Sequence, residues 1–169
     1  MDGLPPNQSP TLPIIGWREW LALPDLDVGR IKAKIDTGAR SSALHAFDIE
    51  RVGDRVRFTT RPKHKGEGEP HLCEVDLHDV RTIKSSNGSV EERYMISTTV
   101  ELMGIRWPIE LTLTARDDML FRMLLGREAL RGRFLVDSST SFLDPTRIAR
   151  GKRRSKTSLT PSSDDAKPQ

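Results

Sequence analysis

From Ile14 onward the chain is a succession of short apolar-polar runs, broken at close intervals by Gly, Pro, Asn and Asp. Arg30-Ile31-Lys32-Ala33-Lys34-Ile35-Asp36 alternates with period two and predicts a half-buried strand that delivers Asp36 at its end. Val52 to Thr60, with a turn at Gly53-Asp54, predicts another, and Leu72 to Leu77 alternates again after a Gly/Pro/charge loop from Arg61 to Pro70. Asn87-Gly88, between Val80-Arg81-Thr82-Ile83 and Tyr94 to Val100, is the strongest short-range hairpin signal in the chain. Met103-Gly104 predicts a tight turn before the alternating run Trp107 to Thr114. Late in the chain, Met123 to Gly126 reads as a short buried run, and Arg127 to Leu130 as one or two helical turns stopped by Gly132. Phe134 to Asp137 is the last predicted strand. Many short strands, few helical stretches and no β/α alternation predict a mostly β domain, a small closed or partly closed barrel with one short C-terminal helix.

Composition adds boundaries to that picture. The 169 residues are 36% hydrophobic and 30% charged, which suits one domain with a real core. Of 27 Lys and Arg and 24 Asp and Glu, seven and three fall in residues 144–169, leaving a near-neutral body of 20 and 21. Residues 1–13, rich in proline, and residues 144–169, basic and without apolar periodicity, are therefore expected to be disordered around a domain at 14–143. The tail invites two readings, a weak contact with nucleic acid or another polyanion, or a solubilising end. Met1 to Pro13 lacks the pattern of a secretory signal, and no apolar run approaches the roughly 20 residues that span a bilayer. The lone Cys73 precludes an intrachain disulfide and fits a reducing cytoplasm.

The candidate chemistry centres on Asp36-Thr37-Gly38-Ala39. A carboxylate that polarises water must sit where the backbone turns sharply, and Gly38 permits the turn while Thr37 and Ser41 can fix the loop by hydrogen bonds. Amide hydrolysis of this type needs two carboxylates sharing a proton, one as base and one as acid. The chain has a single Asp-Thr-Gly, since Asp137-Ser138-Ser139 lacks the glycine. A symmetric homodimer would supply the second carboxylate.

Asp36-Thr37-Gly38-Ala39 and Leu124-Leu125-Gly126-Arg127 with its short helix resemble the two halves of a retropepsin-type aspartic peptidase over roughly residues 30–143. "KIDTGARSSALHA", "IKSSNGSVEERYMI", "WPIELTLT" and "MLLGREAL" resemble, more narrowly, a bacterial and archaeal family of retropepsin-like proteins often labelled ATP-dependent zinc proteases and associated with RimK-type glutamate ligases. The resemblance implies a retropepsin-like acid-protease barrel, a hydrolase that is an aspartic endopeptidase or a glutamyl peptidase, and a substrate carrying glutamates that a ligase has added, one branch acting on a ribosomal protein. It implies a catalytic loop of Asp36, Thr37, Gly38 and Ala39, support from Leu125 and Gly126 beneath it, His45 bracing the loop, and a flap at Ser86, Asn87 and Gly88 that with Ser41 meets substrate.

Where viral retropepsins place an aspartate two positions after the glycine, this chain has Arg40. Arg40 and Arg127 then cannot form an ion pair with each other, and together with Arg81, Lys84 and Arg93 they would favour an acidic ligand. The alternative is that these arginines pair locally with Glu128, Glu91, Glu92 or Asp117. For zinc, the available set is His45, His64, His71, Cys73 and His78, without His-Glu-x-x-His or Cys-x-x-Cys spacing, so the expectation is no metal and no cofactor, with a zinc-dependent hydrolase as an alternative. Cys73 as a nucleophile beside His71 or His78 is an alternative to a small buried thiol. No Walker-type phosphate loop supports the ATP label. Another class stays open, a retropepsin-like module that binds without cutting.

Overall fold

A computed structural model of the chain describes residues 11–63, 68–84, 88–115 and 120–147. Six strands close into a barrel: β2 (Arg18–Leu23), β3 (Val28–Asp36), β4 (Ser42–His45), β9 (Val90–Leu102), β10 (Ile105–Thr114) and β11 (Met123–Gly126). The hydrogen-bonded order is β10-β4-β11-β3-β2-β9, and β9 returns to β10, so the barrel has no free edge along that circuit. β8 (Asp79–Lys84) continues outward from β9 as the antiparallel partner of residues 90–95. Period-two alternation builds this wall. Ile31, Ala33 and Ile35 of β3 and Trp107, Ile109, Leu111 and Leu113 of β10 are buried, while the residues between them face outward.

The predicted hairpins are present. Met103 and Gly104, at φ 54° and 74°, turn β9 into β10. β8 and β9 flank the Asn87-Gly88 signal in antiparallel register, with Ser86 and Asn87 themselves outside the described residues. The strand expected over Val52 to Thr60 is instead the second half of a hairpin: β5 (Phe47–Val52) and β6 (Arg55–Thr60) meet at Gly53-Asp54, and β7 (His71–Asp76) completes a separate three-stranded sheet. That sheet caps the barrel through Val56, Phe58 and Cys73, all in the main core.

β1 (Ile14–Gly16) pairs in parallel with β12 (Leu135–Asp137), which brings the two ends of the domain together. Glu19, fully buried, fastens this corner by accepting from Gly16 N at 2.8 Å, Leu143 N at 2.9 Å and Asp144 N at 3.4 Å. A buried carboxylate is tolerated only with such partners. The packed body extends past the expected boundary at 143: Asp144 accepts from Met103 N at 2.8 Å, and Arg147, 3% exposed, reaches Gly29 O at 2.8 Å and Glu101 Oε1 at 2.7 Å. Among the described residues no helix is long and apolar enough to cross a membrane.

Candidate functional site

The loop after β3 is tied down from one side by the end of β11 and the single helical turn α1 (Arg127–Leu130). β3 and β11 run parallel with Asp36 opposite Gly126. Beyond that pair, Arg127 N donates to Ala39 O at 2.8 Å, Glu128 N to Arg40 O at 3.1 Å, and Gly126 N to Ser42 Oγ at 3.0 Å. The Arg127 guanidinium adds a bond from Nη1 to Thr37 O at 3.0 Å. Gly126 is required by contact rather than by torsion, because a Cβ there would lie 2.5 Å from the Ser41 carbonyl carbon and 2.9 Å from Arg40 O.

Within the loop, Asp36 Oδ1 accepts from Ala39 N at 3.2 Å, and the same N–H faces Asp36 O at 3.3 Å. Both these oxygens of Asp36 thus face one donor three residues on, so the side chain's own loop fixes its orientation. Asp36 is half-buried, while Thr37 and Gly38 are exposed at the rim. Asp36, Thr37, Gly38, Ala39, Arg40, Ser41, Leu125, Gly126 and Arg127 thus form one constellation.

Two clefts open beside the loop. One, of about 330 Å³, is lined by Arg40, Ser41, Arg81, Glu110, Glu128 and Arg133. The other, of about 280 Å³, is lined by Ala39, Ser41, Arg81, Arg93, Thr112 and Leu124. The arginines have local carboxylates: Arg40 Nε lies 3.9 Å from Glu128, Arg81 3.4 Å from Asp79 and 3.8 Å from Glu110, and Arg93 3.4 Å from Glu91. All but Arg93 are at least half exposed, so these pairs are weak and exchangeable.

Other residues singled out in the sequence lie elsewhere. His45, buried at the far end of β4 from Ser42, has Nδ1 3.3 Å from Arg122 Nη1, and its carbonyl accepts from Thr60 Oγ1. Gly88 is exposed at φ 85°, and Ser86, Asn87 and Asp117 fall outside the described residues. Ser42 and Arg133 were not singled out. Ser42 shares its strand parity with buried Leu44, a signal that would have turned it inward to the loop.

The donors among the described residues do not assemble a zinc site. Among the described residues no three His, Cys, Asp or Glu converge. His71 Nε2 is 2.6 Å from Leu26 O, His78 Nε2 is 3.3 Å from Glu110, and His64 lies outside the described residues. Burial first, and the Asp27 carboxylate second, push the Cys73 thiol up to about 11, which does not suit a nucleophile at neutral pH.

The family described as retropepsin-like aspartic endopeptidase RimB matches residues 14–147. A probable alpha-L-glutamate ligase from Shewanella halifaxensis is 48% identical over 133 residues, 76% of this chain but 29% of that protein. A protein of the same description from Parasynechococcus marenigrum is 42% identical over 132 residues, 76% of this chain and 28% of its own. The chain therefore spans less than a third of these curated relatives. A solved structure, a Legionella pneumophila protein of unknown function, superposes with TM-score 0.66 at 26% identity, covering 79% of this chain and 99% of that one.

Proposed function

The chain belongs to the RimB-like family of retropepsin-like aspartic endopeptidases, and from that premise we propose that it hydrolyses amide bonds with a pair of aspartates, Asp36 and the Asp36 of a second copy. The observation that carries the reading is the placement of Asp36, a half-buried carboxylate at a strand end whose loop is held by backbone bonds to Gly126–Glu128. With one Asp-Thr-Gly per chain, the second carboxylate comes from the partner. Ile14 and Leu135, opposite each other in the β1–β12 register and 50% and 53% exposed, favour a dimer surface at that terminal sheet.

In the proposed reaction the ionised carboxylate takes a proton from water as the water oxygen bonds to the scissile carbonyl carbon, and the protonated carboxyl gives its proton to the carbonyl oxygen. The resulting tetrahedral diol collapses as the C–N bond breaks and a proton passes to the leaving nitrogen. No step runs through zinc or ATP.

The arginines around both clefts favour an acidic substrate, and Arg40, 79% exposed on the side chain, is the best placed to exchange its carboxylate for a ligand's. The relatives named as probable glutamate ligases carry this segment within a longer chain, which supports a substrate class of ligase-added glutamates, on a ribosomal protein or another acceptor, in the cytoplasm. The sequence Ser86-Asn87-Gly88, between β8 and β9, is the proposed flap.

The test is mass spectrometry of a peptide ending in several glutamates, incubated with wild type and Asp36→Asn, each with and without a strong chelator. Asn keeps an oxygen for Ala39 N, so fold and dimer should persist while glutamate release falls about a thousandfold or more. Chelator-sensitive cleavage that survives the substitution would overturn the two-aspartate mechanism. A second reading, a module that holds glutamate chains for a ligase, is favoured by the names of those relatives; it predicts peptide binding without release in both proteins.

A further inference from the structure

The outer face of β2 and β3, which adjoins the second cleft where Leu124 pairs with Lys34, gathers cations that form no ion pairs among the described residues. Arg30, Lys32 and Lys34 alternate outward along β3, and the antiparallel register sets Arg18 beside Lys34 and Trp20 beside Lys32. Among the described residues none of these four cations forms an ion pair, whereas Arg55, Arg57, Arg81 and Arg93 of β6, β8 and β9 all face carboxylates. An unopposed row of positive charge on a near-neutral body is a feature that needs a partner or a cost.

Aromatic rings order these cations. Arg30 Cζ sits 4.1 Å above the Trp20 ring centroid, and Lys32 Nζ lies 5.7 Å from it. Arg18 Cζ is 4.6 Å from Trp17 and 5.1 Å from Phe142. Phe142 stacks on Trp20 at 5.7 Å with its backbone at φ 58°, a conformation bulky residues rarely adopt. The ring is thus held where it backs Trp20. Guanidinium groups laid on indoles lose less freedom on binding a ligand than free ones.

We infer that this β2–β3 face binds the phosphate backbone of single-stranded RNA, with Arg18, Arg30, Lys32 and Lys34 as the phosphate contacts. A row of cations along a sheet, interleaved with aromatics, is the chemistry by which sheets hold single strands without reading sequence. Arg147 donates to Gly29 O, so the chain leaves the described domain next to Arg30, and the sequence that follows holds Arg150, Lys152, Arg153, Arg154 and Lys156.

The experiment is a fluorescence-anisotropy titration of a labelled single-stranded RNA of roughly 20 nucleotides, with the full chain, across a salt series. Replacing Arg30, Lys32 and Lys34 together by Gln should weaken binding at least tenfold and flatten the logarithmic salt slope by about 2, three contacts at about 0.7 each. Lys34→Glu alone, at an exposed position, should weaken it several-fold and guards against an effect of misfolding. Replacing the five basic residues from Arg150 to Lys156 by Gln should leave most of the affinity. The inference is overturned if the β3 variants bind as wild type does, if the tail variant alone abolishes binding, or if a polyglutamate peptide or anionic vesicles of equal charge displace the RNA as well as unlabelled RNA does.

Discussion

The Asp36–Ser42 loop and the arginine-bearing strands β8 and β9 border the same clefts but are held by different forces. The loop rests on backbone bonds to Ala39 O and Arg40 O, the Ser42 hydroxyl and a contact that only glycine permits. Arg81 and Arg93 are positioned instead by carboxylates, with Arg81 half exposed. Backbone bonds in a buried setting are costly to break, while exposed ion pairs contribute a few tenths of a kcal/mol to about 1 kcal/mol and exchange readily with ligand or water. The proposed reacting group is built rigid and its surroundings adaptable, as a hydrolytic site would need if bond breaking demands fixed geometry and substrates vary in length.

The sharpest way to break this contrast is Gly126→Ala. The added methyl would press on the Ser41 carbonyl carbon at 2.5 Å, and its nearest neighbours are all backbone atoms of Arg40 and Ser41, with no flexible side chain to yield. We expect a loss of about 3 kcal/mol or more and a fall in Tm of about 10 °C by calorimetry, with peptidase activity lost beyond the change in folded fraction. Gly29→Ala, where a Cβ meets nothing within 4 Å, should change Tm little and serves as the control. Next in size is Ser42→Ala, which removes the acceptor of the buried Gly126 N–H and should cost about 1–2 kcal/mol in urea unfolding with the m-value unchanged. A loss as large as that of Gly126→Ala would mean that the hydroxyl, rather than the close backbone approach, holds the loop.

Much of this was written locally. β3, the β9–β10 turn and the Gly126-Arg127 segment each declare themselves in a few residues, because period two and positive-φ turns are short-range patterns. β5 did not, since the alternation of Phe47-Asp48-Ile49-Glu50 lasts only four residues before Arg51 breaks it and none of the strand is fully buried. The parallel pairing of β1 with β12 is non-local, and no turn chemistry announces it. Asp144 and Arg147 looked like the start of a polar tail because burial of charge depends on Met103 N, Gly29 O and Glu101, partners more than 40 residues away in sequence. At the site, Asp36, Gly126 and Arg127 were readable as motifs. That Arg127 bonds the Thr37 carbonyl, and that Arg133 reaches the cleft, follow only from how the loop and α1 face one another.

The smallest effect sharpens the contrast most. Arg40 Nε is 3.9 Å from Glu128 Oε1, with the two side chains 79% and 42% exposed, and Glu128 has a shorter bond to Arg131 at 3.0 Å. Such a pair is worth about 0–0.5 kcal/mol, so Arg40→Gln should leave Tm within about 1 °C of wild type. If Arg40 binds an acidic substrate, the same change removes a charged hydrogen bond to ligand and raises KM for a glutamate-ending peptide about tenfold with kcat little altered. A stability loss without a KM change would place Arg40 with the rigid loop instead, as part of what holds Asp36. Unchanged values of both would pass acid recognition to Arg81 and Arg93, the guanidinium groups on the adaptable side of the clefts.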